Sequence, residues 1–332
     1  MSRVEQFLLG GHHNRAAVHI GLVNNMPDAA MRATELQFAR LLKDAAGPLD
    51  VRLRLFNLRG IPRSEQTRAR MDGFYDDAGF LQTAHVDALI VTGAQPASDD
   101  LRDEPYWPEL AHLIDWAEIG TISTVFSCLA AHAAVLHLDG VNRRPLPKKL
   151  SGVYQAARVE DDPMFFGLPL SGPVPHSRRN TVVEEELTAK GYRILSRLAS
   201  NDGSGGQADI FTREPPGHSR FVFFQGHPEY DAGTLGREYL RDMGRFLKGE
   251  QDMAPAIPEN YFDRATEDRL DAIRPAGEAD LARYAGIVGA ALPLSQWRGN
   301  TVRLFANWLT LVAATKARKL ASRAVHTRRR AS

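Results

Sequence analysis

The sequence of 332 residues holds a single cysteine, Cys128. One thiol cannot form an internal disulfide, and it excludes the zinc sites that need several cysteines. It fits a reducing compartment. No apolar run approaches the roughly 20 residues that a membrane-spanning helix needs. The apolar patch Phe7-Leu8-Leu9 is far shorter than the core of a secretory signal. These absences predict a cytoplasmic protein with no membrane partner. A charge excess is missing too, with 41 basic against 40 acidic residues. The balance is uneven along the chain. Seven basic and no acidic residues follow from Lys316 onward, which leaves 34 basic against 40 acidic before it. An acidic body with a short basic tail is not the profile of a nucleic-acid-binding domain. The tail reads as a solvated, frayed terminus.

What is present is ordinary globular composition, 43% hydrophobic and 24% charged. The length suits two domains or one large α/β domain with additions. Val18–Val23 is a short apolar run, and after Pro27 the residues Met31, Thr34, Phe38 and Leu41 recur at helical spacing. Residues 50–58 alternate with period two, Arg52 and Arg54 on one face and Val51, Leu53 and Leu55 on the other. Strands at 88–91 and 121–126 alternate with helices at 107–119 and 129–138. Such alternation predicts an α/β fold with a mostly parallel sheet flanked by helices. Residues 141–149, with two prolines and four basic residues, read as a loop. Strands are expected at 192–198, 208–212 and 221–224, then helices at 234–247 and 303–320. The expected division is an N-terminal arm over 1–16 and a catalytic domain over 17–250. A C-terminal helical extension over 251–315 and the basic tail over 316–332 follow.

Two features carry chemistry. Cys128 stands between an apolar strand and a helix. A side chain there rises above the sheet edge, beside backbone N–H groups and a helix dipole that favour an anion. The first of these donors, on Leu129, is placed to hold an oxyanion. The second feature is Gly226-His227-Pro228-Glu229 after the buried run 221–224. Pro228 extends the backbone at His227, so His227 and Glu229 project to one side, base and orienting acid. A lone cysteine is commonly structural, and a His-Pro-Glu turn alone is commonly a capped turn. Together, at strand ends of one sheet, they point to a nucleophile with its base. Lys148, Lys149, His176, Ser177, Arg178 and Arg241 add cations and a hydroxyl suited to a carboxylate or to coenzyme A phosphates. His132 and His137 lie on the helix after Cys128; with no acid or second cysteine beside them, no metal site is expected.

The stretches NNMPDAAMRATELQFARLL, LIVTGA, PYWPEL, LPKKLSGVY, VPHSR, GHPEYDAGTLGREYLRD, IPENYF and WRGNTVRLFANWL occur in order between about residues 17 and 312. In these the chain resembles the homoserine O-acyltransferases that have a class I glutamine-amidotransferase-like (flavodoxin-like) fold. The resemblance implies ping-pong acyl transfer in methionine biosynthesis. An acyl-CoA co-substrate, succinyl-CoA or acetyl-CoA, acylates Cys128, and L-homoserine's hydroxyl attacks the thioester. His227 would be the proton acceptor and Glu229 its partner, with Lys149, Ser177 and Arg241 on substrate-contact positions. A cytoplasmic homodimer with no bound cofactor or metal is also implied.

The chain departs from the family where Trp and Gln usually follow the nucleophile, having Leu129 and His132. The acyl-selectivity position falls on Ala97, and a small residue there goes with succinyl-CoA. Pro96 has no N–H to give an oxyanion, so Ala97 is the second expected donor unless the alignment shifts by one. The stretch 263–296 is longer than expected. Other readings are a glutamine-hydrolysing cysteine enzyme of the same fold, acyl transfer to serine, and a non-catalytic binding member.

Overall fold

A computed structural model describes residues 17–199, 206–275, 277–291 and 297–331, with side chains to residue 322. The chain opens with β1 (Val18–Val23), α1 (Asp28–Ala45), β2 (Val51–Asn57), α2 (Glu65–Met71), β3 (Tyr75–Asp77) and β4 (Ala88–Val91). It continues through α3 (Trp107–Gly120), β5 (Ser123–Ser127), α4 (Leu129–Asp139), β6 (Arg143–Arg158), β7 (Ser171–Val182) and α5 (Glu184–Ala189). Then come β8 (Arg193–Leu198), β9 (Ala208–Arg213), β10 (Arg220–Phe224), α6 (Thr234–Leu247), α7 (Arg264–Asp271), α8 (Leu281–Ala290) and α9 (Arg298–Ala331).

The ten strands form one sheet in the order β3-β2-β1-β4-β5-β10-β9-β8-β6-β7. From β3 to β10 the pairing is parallel, and from β10 to β7 it is antiparallel. The parallel strands are short, and β4 and β5 are buried along their whole length because both faces of the sheet are covered there. Apolar faces of α3 and α4 pack on one side, with Leu113, Ile114, Ala134 and Val135 against Phe126 and Phe223. On the other side α1 and α9 bring Phe38, Leu41, Phe305 and Trp308 against Ile20, Ile90 and Phe224. A third cluster joins α6, α7 and α8 around Tyr230, Tyr239, Tyr261 and Trp297. The predicted alternation of strand and helix, and the period-two pattern of β2 with buried Val51, Leu53 and Leu55, both stand in the structure.

Residues 143–149 are strand rather than loop. The β6–β7 register shifts between Pro145 and Leu150. Pro147, which lacks an N–H, falls in the irregular stretch between them, outside the regular ladder. The final helix runs unbroken across residue 316, so no element boundary separates extension from tail. The expected arm over 1–16 lies outside the described residues, as do parts of the 263–296 stretch. Among the described residues, no helix is long and apolar enough to cross a membrane.

The last helix braces the sheet at the N-terminal ends of its parallel strands. Trp308 is buried and donates its indole N–H to Ser123 Oγ at 3.0 Å. Lys316 Nζ donates to the Ala17 carbonyl at 2.6 Å and to Asp87 Oδ2 at 2.7 Å. Trp308→Ala removes a fully buried indole and the hydrogen bond it gives Ser123 Oγ. It should cost about 3–5 kcal/mol of unfolding free energy, read from urea titration; a loss under about 1 kcal/mol would show that the helix does not brace the core.

Candidate active site

β5 (STVFS) is buried along its whole length and delivers the chain to Cys128. Cys128 has φ 53° and ψ −112°, a left-handed conformation rarely taken by a side-chain-bearing residue. Such a backbone costs of order 1–3 kcal/mol and persists only where its surroundings hold it. Here the Cys128 N–H donates to the Phe224 carbonyl at 2.7 Å. The Cys128 carbonyl accepts from the N–H groups of Ala131 and His132 at 3.0 and 3.3 Å. The sharp reversal lifts a half-buried free thiol above the sheet.

Beside the thiol, Leu129 opens α4, and its N–H is one that an α-helix leaves without an internal partner. The turn after β4 presses against it. A Cβ on Gly93 would lie 2.8 Å from Leu129 Cβ and 3.1 Å from Leu129 N, so only glycine allows this approach. Ala97 differs from expectation. Its N–H, with that of Ser98, donates to Glu104 Oε1 at 2.6 Å. That amide is therefore committed to the buried Glu104 carboxylate and is not aimed at an oxyanion.

β10 ends at Phe224, and the chain turns tightly through Gly226. A Cβ there would meet Val174 Cγ1 at 2.8 Å and His176 Nε2 at 2.9 Å. The His227 N–H donates to the Pro175 carbonyl at 2.9 Å. Its Nδ1 pairs with Glu229 Oε1 at 2.8 Å, and its ring stacks on Tyr230 at 4.3 Å between centroids. The imidazole also hydrogen-bonds the Cys128 side chain. With Nδ1 taken by Glu229, the other nitrogen serves the sulfur. Burial opposes a charged imidazole. Negative charge on Cys128 and on Glu229 outweighs it and holds His227 well above the ordinary histidine value. Cys128, His227 and Glu229, far apart in sequence, thus meet at the ends of two adjacent parallel strands.

The expected substrate contacts form a chain leading away from this centre. Tyr230 donates its hydroxyl to Glu238 Oε1 at 2.9 Å. Burial, with the Glu238 and Glu229 charges, pushes its phenol well above the usual range, so it stays a donor. One turn on, Arg241 reaches Asp242 Oδ1 at 2.7 Å, and Lys149 Nζ reaches Asp242 Oδ2 at 2.7 Å. Asp242 is buried and Arg241 half exposed. Ser177 stands opposite Ser151 in the β6–β7 register. Strand alternation puts it on the face shared with Ser151 and Lys149. His132 is buried and donates its Nε2–H to Gln225 Oε1 at 3.0 Å. Burial lowers its pKa to about 4, so it is a neutral packing group. His137 pairs with Asp115 at 2.7 Å on the helix surface. Among the described residues, no three His, Cys, Asp or Glu side chains cluster as metal ligands would.

Sequence reasoning did not single out Tyr230, Glu238 or Asp242. Their signal was helical spacing. Glu238, Arg241 and Asp242 share one face of α6 at three- and four-residue steps, and Tyr230 lies in the same turn as His227.

The chain is similar to known proteins along most of its length. A family model described as homoserine O-succinyltransferase matches residues 9–318. A homoserine O-succinyltransferase of Rhodopseudomonas palustris is 51% identical over 305 residues, 90% of this chain and 89% of that one. Another, of Methylorubrum extorquens, is 49% identical over 89% of this chain and 87% of its own. Among solved structures, a glutamine amidotransferase from Methylobacillus flagellatus is similar with TM-score 0.47 and 14% identity, over 89% of this chain and 95% of that one.

The raised His227 value fixes a pH dependence. A group whose pKa rises on folding stabilises the fold fully below its unfolded value, near 6.5. That contribution is lost as pH climbs through the folded value. Glu229→Gln removes one source of the rise. The stability gap between wild type and this variant, from urea midpoints, should be largest below the unfolded value near 6.5 and narrow as pH climbs through the raised folded value. A gap that widens with pH would contradict the pairing.

Proposed function

The chain belongs to the homoserine O-succinyltransferase family, and on that premise we propose that it moves a succinyl group from coenzyme A to the hydroxyl of L-homoserine through a thioester on Cys128. The observation that carries the mechanism is the meeting of Cys128, His227 and Glu229 at one sheet edge. Such a transfer belongs to methionine biosynthesis. The reading also takes the protein as a cytoplasmic homodimer with acyl-CoA as co-substrate and no bound cofactor.

His227 takes the thiol proton, and the sulfur attacks the thioester carbonyl of the acyl-CoA. Negative charge gathers on the carbonyl oxygen beside the Leu129 N–H, and a well-aimed donor there is worth about 3–4 kcal/mol. The Gly93 turn, pressed against Leu129, replaces Ala97 as the place for a second donor. Coenzyme A leaves as its thiol, with the proton returned by His227. Homoserine then gives its hydroxyl proton to His227 and attacks the Cys128 thioester. Collapse of the second intermediate restores the thiol. Glu229 holds the ring in the tautomer that presents the free nitrogen to sulfur.

Lys149, Arg241 and Ser177 receive the amino-acid acceptor. An arginine fork and a lysine suit its carboxylate, and Glu238, with Oε2 unpartnered, suits its ammonium. In the family a small residue at the position of Ala97 goes with succinyl-CoA, and the relatives from Rhodopseudomonas palustris and Methylorubrum extorquens are homoserine O-succinyltransferases.

Wild-type protein mixed with succinyl-CoA should gain one succinyl group in intact mass, and Cys128→Ser should gain none. An undiminished gain in the variant would exclude Cys128 as nucleophile. His227→Asn should slow turnover about 10²–10⁴-fold. Free-thiol release with succinyl-CoA and homoserine should exceed that with acetyl-CoA or with serine. Ammonia from glutamine alone would instead favour the hydrolase reading.

A further inference from the structure

β7 carries a second polar relay that the proposed mechanism does not use. Arg178 is only 4% exposed. Its guanidinium donates to His176 Nδ1 at 3.3 Å, to the Asn180 carbonyl at 2.7 Å and to Gln207 Oε1 at 2.5 Å. All three acceptors are neutral, so this buried cation has no carboxylate in direct hydrogen bond. Burial lowers its pKa only to about 10, so it keeps its charge at neutral pH. A buried charge without a counter-charge is expensive.

The nearest fixed anion is reached only through His176. Because Nδ1 of His176 accepts from Arg178, the ring proton sits on Nε2, which lies 3.2 Å from Asp209 Oδ1, a close polar contact without an aligned hydrogen bond. Asp209 Oδ2 accepts from Ser196 at 2.9 Å. Burial keeps His176 neutral. The order Asp209–His176–Arg178 repeats the order Glu229–His227–Cys128, with a cation where the second has a sulfur.

Contacts along β7 bring the strand that carries Arg178 to the turn that carries His227. At its near end Pro175 accepts from His227 N–H, and His176 lies against Gly226. At its far end the Val182 N–H and the Thr181 hydroxyl donate to Gln225 Oε1, which His132 also touches, one turn past Cys128. Arg178 lies between these two contacts, and its charge is felt at Cys128.

We propose that Arg178 is a positioning residue for the charge on sulfur: held by His176 and Asp209, its guanidinium supplies the buried positive field that favours anionic Cys128 over the neutral thiol. The proposal rests on Cys128 being the nucleophile. Other titratable groups whose charge meets that of the sulfur are His227 and Tyr230 in the turn after β10, with Glu229 paired to His227. None of these but His227 is a cation.

The test is the pH profile of Cys128 alkylation by iodoacetamide, followed by intact mass in the full-length protein. Its midpoint reports the Cys128–His227 pair together. Arg178→Gln should move the midpoint up by roughly one pH unit, as loss of a nearby buried charge does. Arg178→Lys should leave it near wild type. Asp209→Asn, which removes the opposing charge, should move it down. A structural role would not reverse sign between these variants. An unmoved midpoint in Arg178→Gln, or equal shifts in the Gln and Lys variants, would overturn the proposal. Should Arg178→Gln not fold, an upward or absent shift in Asp209→Asn overturns it instead. Normal alkylation with no succinyl-enzyme would count against the thioester reading and leave this inference standing.

Discussion

One hydrogen bond organises the site: the Cys128 N–H to the Phe224 carbonyl, at 2.7 Å. It ties the nucleophile's turn to the last residue of the strand that carries the base three positions later. The strained backbone at Cys128 costs of order 1–3 kcal/mol. An ordinary hydrogen bond contributes about 1 kcal/mol net, so this contact alone cannot hold the turn. The rest comes from burial of β5 and β10 on both faces and from α4, whose first turn is fastened to the Cys128 carbonyl. The geometry of sulfur and imidazole is therefore a property of two neighbouring strands and not of flexible loops. That is the condition for keeping reacting groups aligned through two acyl-transfer steps.

The opposite edge of the sheet explains the long C-terminal helix. Its tryptophan and lysine fasten the strand starts at Ser123 and Asp87. The strand ends, where chemistry happens, stay open to the α6–α8 cluster. Rigid packing at one end and polar, half-exposed groups at the other is the division expected when ligands bind outside the carboxyl ends of parallel strands.

Local pattern revealed most of the parallel half of the sheet. Period-two alternation in β2 and wholly apolar runs in β1, β4 and β10 each correspond to one burial geometry. The Cys128 and His227 segments were legible for the same reason, since each stands where an apolar run stops. The antiparallel half was less legible. Residues 143–149 look like loop because proline and lysine disfavour strand, yet pairing with β7 overrides propensity around a register shift. Ala97 could not be read correctly because its N–H is taken by Glu104, a partner that only the folded turn brings near. Arg178 reads from the sequence as a cation for a carboxylate or a coenzyme A phosphate, yet it is buried. Nothing local says that a PHSR strand will be covered by β6 and by Gln207.

The acceptor end of the site adds an electrostatic constraint. Lys149 and Arg241 both pair with Asp242, and Glu238 lies 3.9 Å from Arg241. Two cations against two acids leave this patch near neutral, so it has little long-range pull on an anion. A carboxylate entering here competes with Asp242 for donors already in use. Arg241 is 48% exposed and Asp242 only 8%. The guanidinium can therefore share its outer N–H groups with a ligand while the inner ones stay on Asp242. On the proposed reading, selection rests on matching a whole zwitterion, carboxylate to the Lys149–Arg241 side and ammonium to Glu238. A ligand with only one of the two charges leaves one of these groups desolvated without compensation, a cost of about 1–3 kcal/mol. Discrimination for an amino acid over a simple alcohol follows from that penalty and not from net attraction.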